Sequence, residues 1–300
     1  MKKLPVITIL SRTFGFLLGD LPTILRLSWL PLAIAAGVSF YLGGQAIDAI
    51  VAAKGGHPAS GGLPQSDALA GMISFVANAI VVVALLRVVI YGDRKAGLPA
   101  WLWLGMTEGR FMLVYVLLVI AGIAAIIGTA LIFGLFAAAA SQVPAMQLIV
   151  DIIAIAIFCG AIWVMVKLYL VPAVVVAERT LGVERAWALM RGNAFRMFLI
   201  LLVAYGPLAV AGVMISFAIL GADMPAFPDF AAMTANKMTP EAAQQMIEAW
   251  QTGLLAAMRQ HWTEFTVLNF VGAIIGAALV AGIAGNAYLE LAGEPPHDQA

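Results

Sequence analysis

Six stretches of this chain stay apolar for about 20 residues each, the length a helix needs to cross a hydrocarbon layer. They are Leu27–Ile47, Ala68–Leu86, Phe111–Ala140, about 146–176, Met197–Ala222 and Phe265–Leu289. Lipid offers the backbone no hydrogen-bonding partner, so a spanning segment closes its bonds within itself or around a barrel. These runs are continuously apolar and do not alternate with polar residues, which predicts helices rather than barrel strands. Composition agrees: 63% of the 300 residues are hydrophobic and 11% are charged. A soluble domain carries about 25% charged residues to cover its surface. The expected fold is all-α, a polytopic transmembrane bundle of about six spans with interfacial amphipathic helices. Residues 1–300 then form a single integral membrane domain.

The fourth run is the least regular, since it carries Asp151, Lys167 and Pro172. A lysine near the headgroup level can extend its ammonium into water. Pro207 predicts a kink in the fifth helix. The N-terminus does not read as a secretory signal, because Arg12, Asp20 and Arg26 interrupt the apolar stretch.

Basic residues set the orientation. With the N-terminus inside, Lys2, Lys3, Arg12, Arg26, Arg87, Arg94, Lys95, Arg110, Lys167, Arg179, Arg185, Arg191 and Arg196 are cytoplasmic. That is thirteen of the 16 lysines and arginines; Lys54, Lys237 and Arg259 fall on the other side. Six spans return the C-terminus to the cytoplasm, with residues 291–300 as a short polar tail.

Residues 1–26 form an interfacial N-terminal segment. Within it, 4–18 place Val6, Leu10, Phe14 and Leu17 at helical spacing, with Arg12 off that stripe. Residues 181–191 do the same with Val183, Trp187 and Met190. Each segment ends in glycine and then Asp or Asn, at Gly19-Asp20 and Gly192-Asn193. Glycine can close a helix in the left-handed region, and the next side chain can cap the following helix. A weaker third copy runs from Trp101 to Gly109, which suggests three units of interfacial helix plus two-span hairpin. The plain alternative is that any basic amphipathic segment before a span looks this way.

The only long connection, 223–264, is expected outside the cytoplasm. Thr239 and Pro240 suit a helix start, and Ala243, Ile247, Trp250, Leu254, Met258 and Trp262 recur at helical spacing. This reads as a helix resting on the outer leaflet, or as a lid or docking site.

Chemical motifs are absent from the pattern. His57, His261 and His297 are isolated, no phosphate-binding glycine loop occurs, and no nucleophile elbow appears. The single cysteine, Cys159, lies in an apolar run. No cofactor, metal or nucleic acid is implied, and the reading leans away from an enzyme. The candidate polar intramembrane residues are Asp48, Arg87, Asp151, Lys167 and Glu290, since ionisable groups near lipid are costly. Glu290 is expected to pair with Arg87 or Lys167. The ordinary alternative is that all five sit at helix ends within reach of headgroup water. Asn78, Asn269 and Asn286 are deeper polar groups, suited to bonds between helices. Arg185, Trp187, Arg191 and Arg196 are candidate interfacial anchors. Gly272, Gly276 and Gly282, with Gly285, form a packing face for a neighbouring helix or a second copy of the chain.

The most distinctive stretch runs Lys167-Leu-Tyr-Leu-Val-Pro172, then Glu178, then Glu184-Arg-Ala-Trp-Ala-Leu-Met-Arg-Gly-Asn193 and Arg196. With the closing Asn286-Ala-Tyr288-Leu-Glu-Leu-Ala-Gly293, it resembles a broad group of bacterial integral membrane proteins. That group includes YciC-like proteins and the membrane domain found beside some glycerophosphodiester phosphodiesterases. The resemblance implies a bacterial inner-membrane protein with no catalytic role for this part, the phosphodiesterase domain being absent. Where the family's amphipathic helix commonly has serine, this chain has Ala188 or a neighbour. The expected role is noncatalytic organisation of membrane lipids, of a protein partner or of a second copy of the chain. A small-molecule or lipid transporter is the first alternative, lined by Asn78, Lys167, Asn269 and Glu290. A lipid-modifying enzyme at the interface is the second.

Overall fold

The computed structural model describes residues 2–54, 63–92, 105–140, 144–228 and 239–293. Side chains are described throughout these except at 52–54, 63–68, 124–127, 130–140, 144–148, 151 and 240. The described residues form helices and no strand, as the apolar runs predict. They are α1 (Val6–Gly19), α2 (Leu21–Lys54), α3 (Leu63–Tyr91), α4 (Met106–Ala140), α5 (Pro144–Leu168), α6 (Val171–Glu178), α7 (Val183–Leu189), α8 (Ala194–Leu220), α9 (Pro240–Gln260) and α10 (Trp262–Ala292). Six of the segments are long and apolar enough to cross a membrane, and they match the six runs read from the sequence. Within each of the segments over 152–178 and 194–223, an 18-residue apolar stretch has only 11% of its residues buried within the chain, so most side chains of that stretch face outward. Lipid is the solvent that tolerates such a surface.

The fourth run is not one helix. α5 ends at Leu168, a turn covers Tyr169 and Leu170, and α6 restarts at Val171. Pro172 explains the break: it has no N–H to donate and its ring crowds the preceding turn, yet it fits the first turn of a new helix. Pro207, by contrast, lies inside an unbroken α8.

The chain divides into two compact units. The first comprises Met1–Leu27, Ala79–Ala204 and Ala277–Ala300; the second comprises Ser28–Asn78 and Tyr205–Gly276. Four helices, α2, α3, α8 and α10, contribute residues to both.

In the first unit α6 is the buried element. Val171, Ala173, Val174, Val175, Val176 and Ala177 are all enclosed, as a helix apolar on every side must be. α4 packs on α5 and α6, and α7 packs on α5 and α6. α1 docks through Ile9, Thr13 and Phe16 and leaves Ile7, Phe14 and Leu18 exposed. The expected stripe of Val6, Leu10, Phe14 and Leu17 is thus one flank of a wider apolar arc, and the adjacent flank does the docking. Close approach of α1 needs Gly282, where a Cβ would come within 2.8 Å of the Thr13 methyl. Gly285 gives the same room to Val89 of α3. A Cβ at Gly272 or Gly276 would meet nothing within 4 Å, so among the described residues those two glycines seat no helix.

The second unit has a core of Leu220, Ala257 and Phe265, flanked by Ile219, Met224, Leu254 and Met258. α9 begins as expected, with the Thr239 hydroxyl accepting from the Ala242 N–H and a proline in the first turn. The Trp262 indole N–H donates to the Phe40 carbonyl at 2.8 Å, and its ring lies against Gly43, where a Cβ would come within 2.9 Å. The Ser39 and Ser74 hydroxyls join α2 to α3 at 3.2 Å.

Candidate functional site: the basic and aromatic face around α7

The two sequence-matched helix ends are built differently. Gly192 takes φ 73°, the left-handed closure expected of it, whereas Gly19 does not have a positive φ. Asn193 was expected to cap α8. Instead its side chain clasps the N-terminal segment: Leu4 N–H donates to Asn193 Oδ1 at 3.0 Å, and Asn193 Nδ2 donates to the Lys2 carbonyl at 3.0 Å. A primary amide presents one donor and one acceptor side by side, so it can pair with extended backbone. Arg196 adds a bond from its guanidinium to the Leu4 carbonyl at 3.0 Å.

This clasp decides where Glu290 goes. Its carboxylate meets Lys2 at 3.0 Å and Arg12 at 3.5 Å, not Arg87 or Lys167 as the sequence suggested. Folding the N-terminal segment back brings those two cations to the end of α10. Arg87 finds Glu108 at 2.8 Å, and the Glu108 side chain is only 4% exposed. Glu108 also accepts from the Gly105 N–H at 3.1 Å. Nothing in the sequence pattern singled out Glu108, although an acidic residue in the first turn of α4 was a visible hint.

Around α6 and α7 the polar groups form a second set. Glu178, the last residue of α6, accepts from Arg185 Nε at 3.2 Å and from the Tyr288 hydroxyl at 3.1 Å. The Tyr91 hydroxyl reaches the Val176 and Ala177 carbonyls, which the end of α6 leaves without helical partners. Arg110 donates to the Arg179 carbonyl. Arg179 and Gly182 both have positive φ, and a Cβ at Gly182 would come within 2.5 Å of Val174, so only glycine fits there.

Lys167 has neither of its expected relations. It sits in the last turn of α5, where the helix dipole favours a cation, and is 8% exposed. Its ammonium lies 3.7 Å from the centroid of Trp163 and 4.2 Å from that of Trp187. The two indoles meet edge to face at 5.7 Å. Aromatic faces, rather than a carboxylate, hold this charge among the described residues.

Outside these contacts runs an open groove of about 540 Å³, lined by Val183, Glu184, Trp187, Ala188 and Arg191. Of the four predicted anchors, Arg185 and Arg196 are turned to partners within the chain, and Trp187 is half-buried against Lys167. The Arg191 guanidinium has no ion pair or hydrogen bond among the described residues, and neither does the Glu184 carboxylate.

The remaining candidates lie elsewhere. Asp48 makes a bidentate pair with Arg259 at 2.7 and 2.8 Å in the second unit, and that hydrogen-bonded carboxylate holds the Arg259 guanidinium above its usual pKa. His261 lies 3.0 Å from Asp223. Asn78 and Asn269 are exposed, while Asn286 is buried and donates to the Gly282 carbonyl of its own helix. Cys159 is exposed on α5. The side chain of Asp151 lies outside the described residues, as do residues 101–104 of the third repeat copy, Arg94, Lys95, Lys237, His57, His297 and the last seven residues of the tail. Among the described residues no three His, Cys, Asp or Glu side chains converge as a metal site would require.

Six helices among the described residues are apolar and long enough to cross a membrane, which defines a multi-pass helical membrane protein. Comparison with protein-family models, with curated proteins and with solved structures finds no match to this chain.

Proposed function

We propose that the chain is a noncatalytic protein of the bacterial inner membrane, with both termini cytoplasmic, that organises lipid or a partner through α7 and its flanks. The YciC-like resemblance of residues 167–196 belongs to this proposal. Its sidedness is supported by a coincidence of two unrelated divisions. The thirteen basic residues that the charge rule assigns to the cytoplasm all belong to the first unit, and the three it assigns outside all belong to the second.

The observation that carries the role is the Arg191 guanidinium, exposed beside Trp187 and without a partner among the described residues. A basic side chain near an anionic leaflet contributes about 1 kcal/mol of attraction. An interfacial indole adds depth anchoring. The test compares the lipid shell retained by the protein in nanodiscs of mixed phosphatidylglycerol and phosphatidylcholine. Replacing Arg185, Arg191 and Arg196 together should reduce the anionic share; an unchanged share counts against the proposal.

A transporter is the second reading, and the break between α5 and α6 favours it. Transporters place substrate sites at discontinuous helices, and Lys167 lies one residue before the break. A Lys167→Met variant that abolished a measured flux, with folding intact, would move the assignment there.

A further inference from the structure

The groove along α7 carries opposite charges that do not pair with each other. Glu184 and Arg191 both line it, and no ion pair joins them to each other or to any described residue. Elsewhere in this unit carboxylates find cations readily, as at Glu290 with Lys2, Glu108 with Arg87 and Glu178 with Arg185. A cation and an anion left unmatched across one open groove are complementary to a zwitterion.

The rest of the lining narrows the ligand. Val183, Trp187 and Ala188 supply apolar wall, and the neighbouring surface of α5 exposes Trp163, Val164 and Met165. A ligand with a charged head and an apolar body fits both surfaces. A quaternary ammonium is recognised by free aromatic faces. Here Trp187, the one aromatic ring among the described lining residues, already has the Lys167 ammonium 4.2 Å from its centroid. That positive charge repels a second cation from the indole and favours an anion on the groove side. A primary amine that can donate hydrogen bonds to Glu184 meets no such obstacle.

We propose that the groove between Glu184 and Arg191 binds one membrane phospholipid with a primary-amine headgroup, of the ethanolamine kind. Arg191, backed by the charge of Lys167, holds the phosphodiester, Glu184 accepts from the ammonium, and the acyl chains lie along the apolar surface of α5. The inference rests on the lipid-organising reading but makes a separate demand: selection by headgroup chemistry, not by net charge.

The experiment is native mass spectrometry of the full-length protein released from nanodiscs. The discs hold equal parts phosphatidylethanolamine, phosphatidylcholine and phosphatidylglycerol. The wild type should retain one phosphatidylethanolamine in excess over phosphatidylcholine. Glu184→Gln should lower that excess about tenfold, the loss expected for one charge-assisted hydrogen bond, and Arg191→Ala, which removes the contact to the phosphodiester that all three lipids share, should lower total lipid retention by a similar factor. Arg191→Lys should recover part of that retention, and Arg185→Ala, whose guanidinium is turned to Glu178, should leave both intact. Soluble phosphorylethanolamine in excess should not displace the lipid; displacement would overturn a lipid occupant in favour of the free headgroup. Equal retention of phosphatidylethanolamine and phosphatidylcholine, or no effect of Glu184→Gln, overturns the site while phosphatidylglycerol enrichment could still support the broader role. Loss of phosphatidylglycerol enrichment alone overturns the net-charge basis of the broader role and leaves this headgroup selection standing.

Discussion

The first unit holds thirteen basic residues and the second holds three, although four apolar helices contribute residues to both. The difference is also one of use. In the first unit several cations are fasteners: Arg196 and the amide of Asn193 grip backbone at Leu4 and Lys2, while Lys2 and Arg12 reach Glu290. In the second unit Arg259 is turned to Asp48, and packing around Trp262 gives the local order. Charge therefore sorts the helix ends, and whatever charge is not used in fastening remains for a ligand. Arg191 is such a residue.

The contrast can be broken most severely at α1. Ile9 is fully enclosed, and Ile9→Ala should cost about 2–4 kcal/mol through lost contact and a cavity. Thermal unfolding in detergent should record the loss, and limited proteolysis should show early cleavage within residues 1–20. A comparable blow to the second unit is Gly43→Val, which drives a side chain into the Trp262 ring. Overpacking of this kind costs about 1–3 kcal/mol. Its proteolytic signature should fall in α9 and not in residues 1–20; cleavage at the same sites as Ile9→Ala would dissolve the distinction between the units.

Smaller effects sharpen the comparison. Asn193→Ala removes both bonds of the clasp and should cost about 1–2 kcal/mol, with faster hydrogen exchange at the Leu4 amide. An unchanged exchange rate there would show the clasp to be idle. Thr13→Val should act in the other direction. The Thr13 hydroxyl is buried without a hydrogen-bond partner among the described residues, so an apolar replacement of like shape should raise stability by about 1 kcal/mol. Arg191→Ala should change stability by no more than about 0.5 kcal/mol, because an exposed side chain without partners contributes little to folding. A large loss would mean that Arg191 is another fastener.

The helices were legible because lipid imposes a length and a polarity that composition cannot hide. The cap of α9 was legible for a local reason, since Thr239 and Pro240 act within one turn. The break after α5 was hinted at by Pro172 but read as part of one span, because a proline can also sit in a kinked helix. What escaped were partners chosen by tertiary folding. Glu290 was matched to cations on the spans, whereas the clasp at Asn193 delivers Lys2 and Arg12 to it from the other end of the sequence. Asp48 and Arg259 are 211 residues apart, and Arg87 finds Glu108 across a connection, so neither pair has a periodic signature. Gly272 and Gly276 read like Gly282 and Gly285, yet among the described residues only the latter two receive a close neighbour. Spacing identifies small residues but not the helix that arrives.

The most direct test of the account is the sidedness of the two units. Single cysteines, Ala188→Cys in the first unit and Gln245→Cys in α9 of the second, would be placed in a Cys159→Ser background. Intact cells with a permeabilised outer membrane would then be treated with an impermeant maleimide. Labelling at 245 before lysis, and at 188 only after lysis, is the predicted result. Labelling at 188 in intact cells would contradict it, and would remove the cytoplasmic leaflet from the account of α7.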